Sequence, residues 1–240
     1  MIGKRSRLTN ARGYNLSQPL LGWHRCNAPA EVLGISDSLS PDGGIPTGWR
    51  IGENVPWSVA WSAEQEFSLQ MSDDFPGLLE VVQTELQGQG APQFAAQHVS
   101  RHRAGMADHL CHVCGRKTSR RDRYLFPVQS GGFVILPDDS TRYAGNVPPV
   151  HLKCAKIGKQ LCPNLSHTKG EPVAYPSEDS RLMPRPDVVQ GLEALARTMP
   201  TNVKIVYGCY RLYGPRFTRL VQRLREESAI GAAAPENPTA

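Results

Sequence analysis

The sequence predicts a small α+β domain, and three observations predict it. Short alternating stretches with β-branched and aromatic residues recur along the middle of the chain. Helical periodicity is confined to a few places, the clearest beginning at His151. Between them lie two cysteine-bearing motifs, Cys111-His112-Val113-Cys114-Gly115 and His151-Leu152-Lys153-Cys154.

Taken in order, residues 1–48 carry scattered apolar residues without helical period and read as a weakly structured N-terminal arm. Within it, His24-Arg25-Cys26 is a lone cluster, more in keeping with a surface than with a nucleophile. Order is expected over 49–227. Val55–Trp61 alternates and reads as a strand, with Pro56 suited to an edge or a strand start. Phe67 and Leu69 suggest a second strand. Asp73 and Asp74 precede Pro76 and an apolar pattern at Leu78, Leu79, Val82 and Leu86, which reads as a capped helix. Residues 92–110 are expected to be helical.

Tyr124–Val128 and Phe133–Leu136 read as a hairpin closed by Gln129-Ser130-Gly131-Gly132, and 137–149 as a loop. From His151 the residues Cys154, Ile157, Gly158, Leu161 and Cys162 share one helical face, and Pro163 ends the helix. Residues 166–185 read as a polar linker, and Val188–Ala196 as a short helix. Val203–Leu212 is a strand pattern in which Cys209 is a core thiol. Pro215 opens a last helix with Phe217, Leu220, Val221 and Leu224 on its buried stripe. Residues 228–240 read as a disordered tail.

The 240 residues carry a net charge of +5, which permits nucleic acid as a partner without demanding it. Residues 61–87 hold six acidic residues and no Lys or Arg, whereas 101–125 hold seven Arg or Lys and two Asp. No run approaches the roughly 18 apolar residues of a membrane-spanning helix, and no apolar segment follows the basic N-terminus. A cytoplasmic protein with reduced thiols is expected. There, six cysteines read as metal ligands or buried thiols before disulfides.

The two motifs then point to zinc. A CxxC turn aims two thiolates at one point, and Gly115 allows the tight turn after it. An HxxC on the first turn of a helix aims the second pair. Knuckle, hairpin and helix in that order is a treble-clef-like arrangement, with Cys111, Cys114, His151 and Cys154 as ligands of one structural zinc ion. Four protein ligands leave no open position for water. Two other ligand choices stand beside it, with His112 or Cys162 in place of His151. A redox CxxC is the competing chemistry, although the Arg-rich stretch after Cys114 does not resemble the start of a thioredoxin-type helix.

Asn54–Trp61 (NVPWSVAW), LCHVCG at 110–115, PPVHLKCAKIGKQLCPNL at 148–165 and VKIVYGCYRLY at 203–213 resemble, in the same order, the motifs of a family found in bacteriophages, prophages and bacterial genomes. That family carries patterns such as GYPVPWFVAW, CWVCG, PPxHxxCAxxxxxxCPFL and WITRxYRLF. The resemblance covers about residues 46–215. It implies that Cys111, Cys114, His151 and Cys154 belong together and that Cys162-Pro163 ends a helix, and it implies no activity. The chain departs in its longer N-terminal arm, in His112 between the cysteines where an aromatic residue is usual, and in Asn164 where Phe is usual.

Three functions remain in view. The first expectation is a protein-interaction or scaffold module, in which the acidic and basic stretches pair within the chain. The second is nucleic-acid binding through Arg116, Lys117, Arg120, Arg121 and Arg123 of the knuckle loop and Lys153, Lys156 and Lys159 of the helix, with Arg216, Arg219 and Arg223 on the last helix. The third, an HNH-type nuclease, needs a histidine base between the two metal motifs. Residues 113–150 contain none, and Asp138, Asp139 and Asn146 are poor substitutes. No phosphate loop, HExxH or Ser-His-Asp pattern is present.

Overall fold

The computed structural model describes residues 48–162, 165, 170–177, 180–185, 197 and 204–233. The expected arm over 1–48, apart from Gly48, and the short helix expected over 188–196 lie outside these residues. Among the described residues the order is β1 (Val59–Trp61), β2 (Phe67–Met71), β3 (Leu79–Gln83), β4 (Pro92–Gln97), α1 (Val99–Asp108), β5 (Tyr124–Leu125), β6 (Gly132–Ile135), β7 (Thr141–Gly145), α2 (Leu152–Leu161), β8 (Val173–Ala174), β9 (Arg181–Arg185), β10 (Ile205–Val206), β11 (Gly208–Leu212) and α3 (Pro215–Ala233). This is a mixed α+β architecture, as the patterning predicts.

The strands form four small sheets. β1 pairs with β4; β3 lies between β10 and β2; β6-β7-β11-β9 form the largest; β5 pairs with β8. All these pairings are antiparallel except β10 with β3. Helix α1 packs against both β3 and β11. One apolar cluster, Val81, Val99, Ile205 and Tyr207, joins α1 to the β3 sheet. Another, Tyr143, Tyr213, Phe217 and Val221, seats α3 on β7.

Several expected elements are corrected. The segment expected as a helix from Asp73 is a turn followed by β3. The Phe75 amide donates to Ser72 Oγ, and Gly77 takes a φ of +82° that starts the strand afresh. The apolar residues at 78–82 are too few for a helix face, and they find partners in β2 and β10 instead. The first part of 92–110, Pro92–Gln97, is strand β4, and only Val99–Asp108 is helix. The hairpin is β6–β7, closed around Pro137–Ser140, so part of the expected loop is strand. The segment from Tyr124 instead pairs with β8 and bridges Val150. The expected linker holds β8 and β9, and β9 is recruited by the full length of β11. The strand at Val55–Trp61 is regular only from Val59, and α3 continues to Ala233, past 227.

α1 inverts the usual pattern: Arg101, His102 and Arg103 are all buried. Arg101 donates to both Glu64 carboxylate oxygens at 2.8 and 2.7 Å, to the Val59 carbonyl at 2.8 Å, and to Glu85. Arg103 pairs with Glu80 at 2.8 Å. Acidic and basic stretches thus meet inside the chain, as expected, through these two arginines. Burial acts to raise the Glu64 carboxyl, but Arg101 and the Trp61 amide together hold it below the usual range. At the other end of α1, Arg211 of β11 donates to the Met106 and Ala107 carbonyls, which the helix end leaves open.

Candidate metal centre

The knuckle is closed by its own backbone. The Cys111 amide donates to the Arg116 carbonyl and the Gly115 amide to the Cys111 carbonyl, both at 2.8 Å. Gly115 has a φ of +71°, and a Cβ there would lie 2.7 Å from the Trp57 ring, so both conformation and space require glycine. Trp57 and Ser58 donate backbone N–H groups to the Val113 and His112 carbonyls, seating the knuckle beside the lead-in to β1. The His112 amide donates to the Pro149 carbonyl, and Tyr124 and Val150 exchange two backbone hydrogen bonds. These bonds deliver His151 to the knuckle at the start of α2.

Cys111, Cys114, His151 and Cys154 converge there, with one ligand atom of each lying within 4.8 Å of the others. His151 Nδ1 is 3.4 Å from Cys114 Sγ and 3.9 Å from Cys154 Sγ. A tetrahedral ion bound at ordinary Zn–S and Zn–N lengths would separate S and N by about 3.6 Å. The cluster could therefore hold a metal ion. His151 Nε2 lies 3.3 Å from the Lys117 carbonyl. A proton on that nitrogen leaves Nδ1 free as a ligand, the outer-shell arrangement common at histidine metal sites. Around the four ligands pack Val113, Val150, Ala155, Tyr124 and Phe126, which limit water's access.

The thiols do not ionise alike. Burial raises Cys111 and Cys154. Burial also acts to raise Cys114, but hydrogen bonds from the Arg116 backbone and side chain and from the neighbouring thiols outweigh it and bring it down to about 7. Three thiolates can coexist in this space only with a cation among them.

The two alternative ligands fall away. His112 Nδ1 lies 2.6 Å from Ser58 Oγ, and burial lowers its ring to about 4. Cys162 is the C-cap of α2; eight residues along a helix from Cys154, it is about 12 Å distant by helical rise. The knuckle is a turn, not the start of a helix, unlike a redox CxxC. A second group, Glu64, Glu85 and His98, has metal-like spacing, but the Arg101 guanidinium fills the role of the cation between the two carboxylates.

The basic residues divide. Arg116, Lys117, Arg120, Arg121, Lys153 and Lys156 are exposed, and among the described residues none of them pairs with a carboxylate, although the Arg116 side chain also hydrogen-bonds the Cys114 thiol. Arg123 is drawn inward, donating to Thr118 and stacking over the Tyr175 ring. Lys159 pairs with Glu171. Arg216 and Arg219 are exposed on α3, and Arg223 faces Glu227. Asp138 and Asp139 lie at the exposed β6–β7 turn, where Asp138 accepts from Ser140, and Asn146 Oδ1 accepts from the Gly131 amide.

Sequence reading misses Asp122. His151 is the N-cap residue of α2, yet its side chain makes no capping bond. Asp122 Oδ1 supplies one from outside, accepting from the Leu152 amide at 2.7 Å. An acidic residue inside a basic run is the one signal that could have drawn attention to it. The fold and site thus define an α+β domain with a Cys3His candidate metal centre. Comparison with family models, curated proteins and solved structures finds no match.

Proposed function

We propose that the Cys3His centre holds one structural zinc ion, in treble-clef order of knuckle, hairpin and helix, and that the domain so held is an interaction module whose partner is nucleic acid. The donor set supports zinc: three thiolates and one imidazole at tetrahedral spacing suit it better than a hard, oxygen-seeking cation. Kinship with the phage and prophage proteins that share these motifs belongs to the same proposal and rests on the order of the motifs.

The observation that carries the partner is the division of the cations. Three of the six acids at 61–87, Glu64, Glu80 and Glu85, are paired internally with Arg101 and Arg103, while Arg116, Lys117, Arg120, Arg121, Lys153 and Lys156 stay exposed on the two segments that carry the candidate metal ligands. A rigid mount lowers the ordering cost of meeting phosphates. Among the described residues, the large exposed apolar side chains of Met71, Ile135 and Leu161 sit on three different elements, which favours a charged partner over an apolar protein surface.

The test is fluorescence-anisotropy titration of single- and double-stranded DNA and RNA at several salt concentrations. Affinity should fall with salt, with a log–log slope of about −0.9 per phosphate contacted on duplex DNA. Replacing Arg120 and Arg121 by Ala should weaken binding alike for all sequences and leave the zinc content unchanged. No binding to any of the four at low salt overturns the nucleic-acid reading and leaves a protein partner.

A further inference from the structure

The loop carrying Arg116, Lys117, Arg120 and Arg121 is tied to the metal-bearing helix at two points. Near its start, the Lys117 carbonyl faces His151 Nε2 at 3.3 Å. Near its end, Asp122 Oδ1 accepts from the Leu152 amide at 2.7 Å. Between them, Thr118 Oγ1 donates to the His109 carbonyl at 2.8 Å, and Arg123 donates to the Thr118 carbonyl at 2.8 Å. Arg120 and Arg121 form the turn that these ties leave exposed.

From this geometry we infer that Asp122 is a positioning residue for phosphate binding. Its carboxylate locks the Arg120-Arg121 turn onto the first turn of α2, so that the loop cations and Lys153 and Lys156 act as one surface. The inference rests on the nucleic-acid reading above and adds a residue of the wrong charge to it. As a bare charge, Asp122 should repel phosphate, and removing it should tighten binding. As a positioning group it should do the reverse, because its loss frees the turn and restores an ordering cost on binding.

The two roles therefore predict opposite signs. In full-length, zinc-loaded protein, Asp122→Ala should bind a mixed-sequence duplex several-fold more weakly than wild type. Asp122→Asn keeps an oxygen able to accept from the Leu152 amide and removes the charge, so it should bind as tightly as wild type or more tightly. Both variants should retain one zinc per chain. Limited trypsin digestion reads the loop without any nucleic acid: cleavage after Arg120 and Arg121 should quicken in Asp122→Ala and stay at the wild-type rate in Asp122→Asn. Wild type that binds, with Asp122→Ala binding equally or more tightly, overturns this inference alone. Unchanged trypsin cleavage in Asp122→Ala overturns it as well. Absence of binding by wild type removes the nucleic-acid reading and this inference with it.

Discussion

At Cys111 and Cys154 a serine conserves size but offers a much weaker metal ligand. Both residues are buried, and the apolar residues around them gather on the ligand-bearing segments. Metal and fold should therefore be lost together in Cys111→Ser or Cys154→Ser, because binding and folding share one free energy, roughly 10–16 kcal/mol in small zinc peptides. Cys162→Ala should keep its metal, since Cys162 caps the far end of α2. Metal analysis of protein purified without added metal, with near-UV circular dichroism for tertiary packing, checks all three variants. Zinc lost from Cys162→Ala and kept in His151→Ala would falsify the ligand set. His151 makes two contacts, Nδ1 toward the Cys114 thiol of the candidate metal centre and Nε2 toward the Lys117 carbonyl, so its loss should also loosen the Lys117 segment.

Among the elements, α1 depends most on charge. It meets β3 through buried Arg103 and Val99 and β11 through Met106, while buried Arg101 reaches Glu64, Glu85 and the Val59 carbonyl of β1. Glu64 is fully buried and takes two hydrogen bonds from Arg101. Removing the guanidinium strands that carboxylate. Arg101→Ala should then lower unfolding free energy by about 3–5 kcal/mol, the range for breaking one side of a buried pair. Arg101→Ala combined with Glu64→Gln should recover part of the loss, because the stranded charge is gone. Urea denaturation of the two proteins gives the comparison. A double variant no more stable than the single one would show that the cost lies in packing, not in the unpaired charge.

For the whole molecule, buried neutral histidines set the acid limit. Burial lowers His102, His109 and His112 to about 4 each. His102 is the cleanest case: it is buried, and its Nε2 lies 2.9 Å from the Asn146 carbonyl, to which a neutral ring donates. The unfolded chain takes up this proton near pH 6.5 and the folded chain only near 4. The contribution is thus fully present above about 6.5 and is lost as pH falls toward 4, by which point the loss amounts to about 3 kcal/mol for one such group. Urea midpoints measured from pH 7 to pH 4 should fall steadily, and His102→Gln should flatten the slope by about one proton. An unchanged slope would place the acid sensitivity elsewhere, at the metal ligands or the other histidines.

The members of the Cys3His cluster were legible in the sequence because CxxC and HxxC are local: each aims two side chains through a single turn, and neither needs the rest of the chain. The helix after His151, the strand before Tyr213 and the helix from Pro215 were legible for the same reason, since one period of apolar residues spans each. Tertiary structure alone decided the rest. Leu79–Gln83 is strand because β2 and β10 flank it, and Arg181–Arg185 is strand because β11 pairs with it. Tyr124 is drawn from the expected hairpin to Val150 and Ala174. It also decided which charges matter. Arg101 and Arg103 belong to the same basic run as Arg120 and Arg121, yet buried carboxylates claim the first pair while the second stays exposed. Composition counts charges along the chain, whereas pairing depends on which segments the fold brings within a few ångströms of one another.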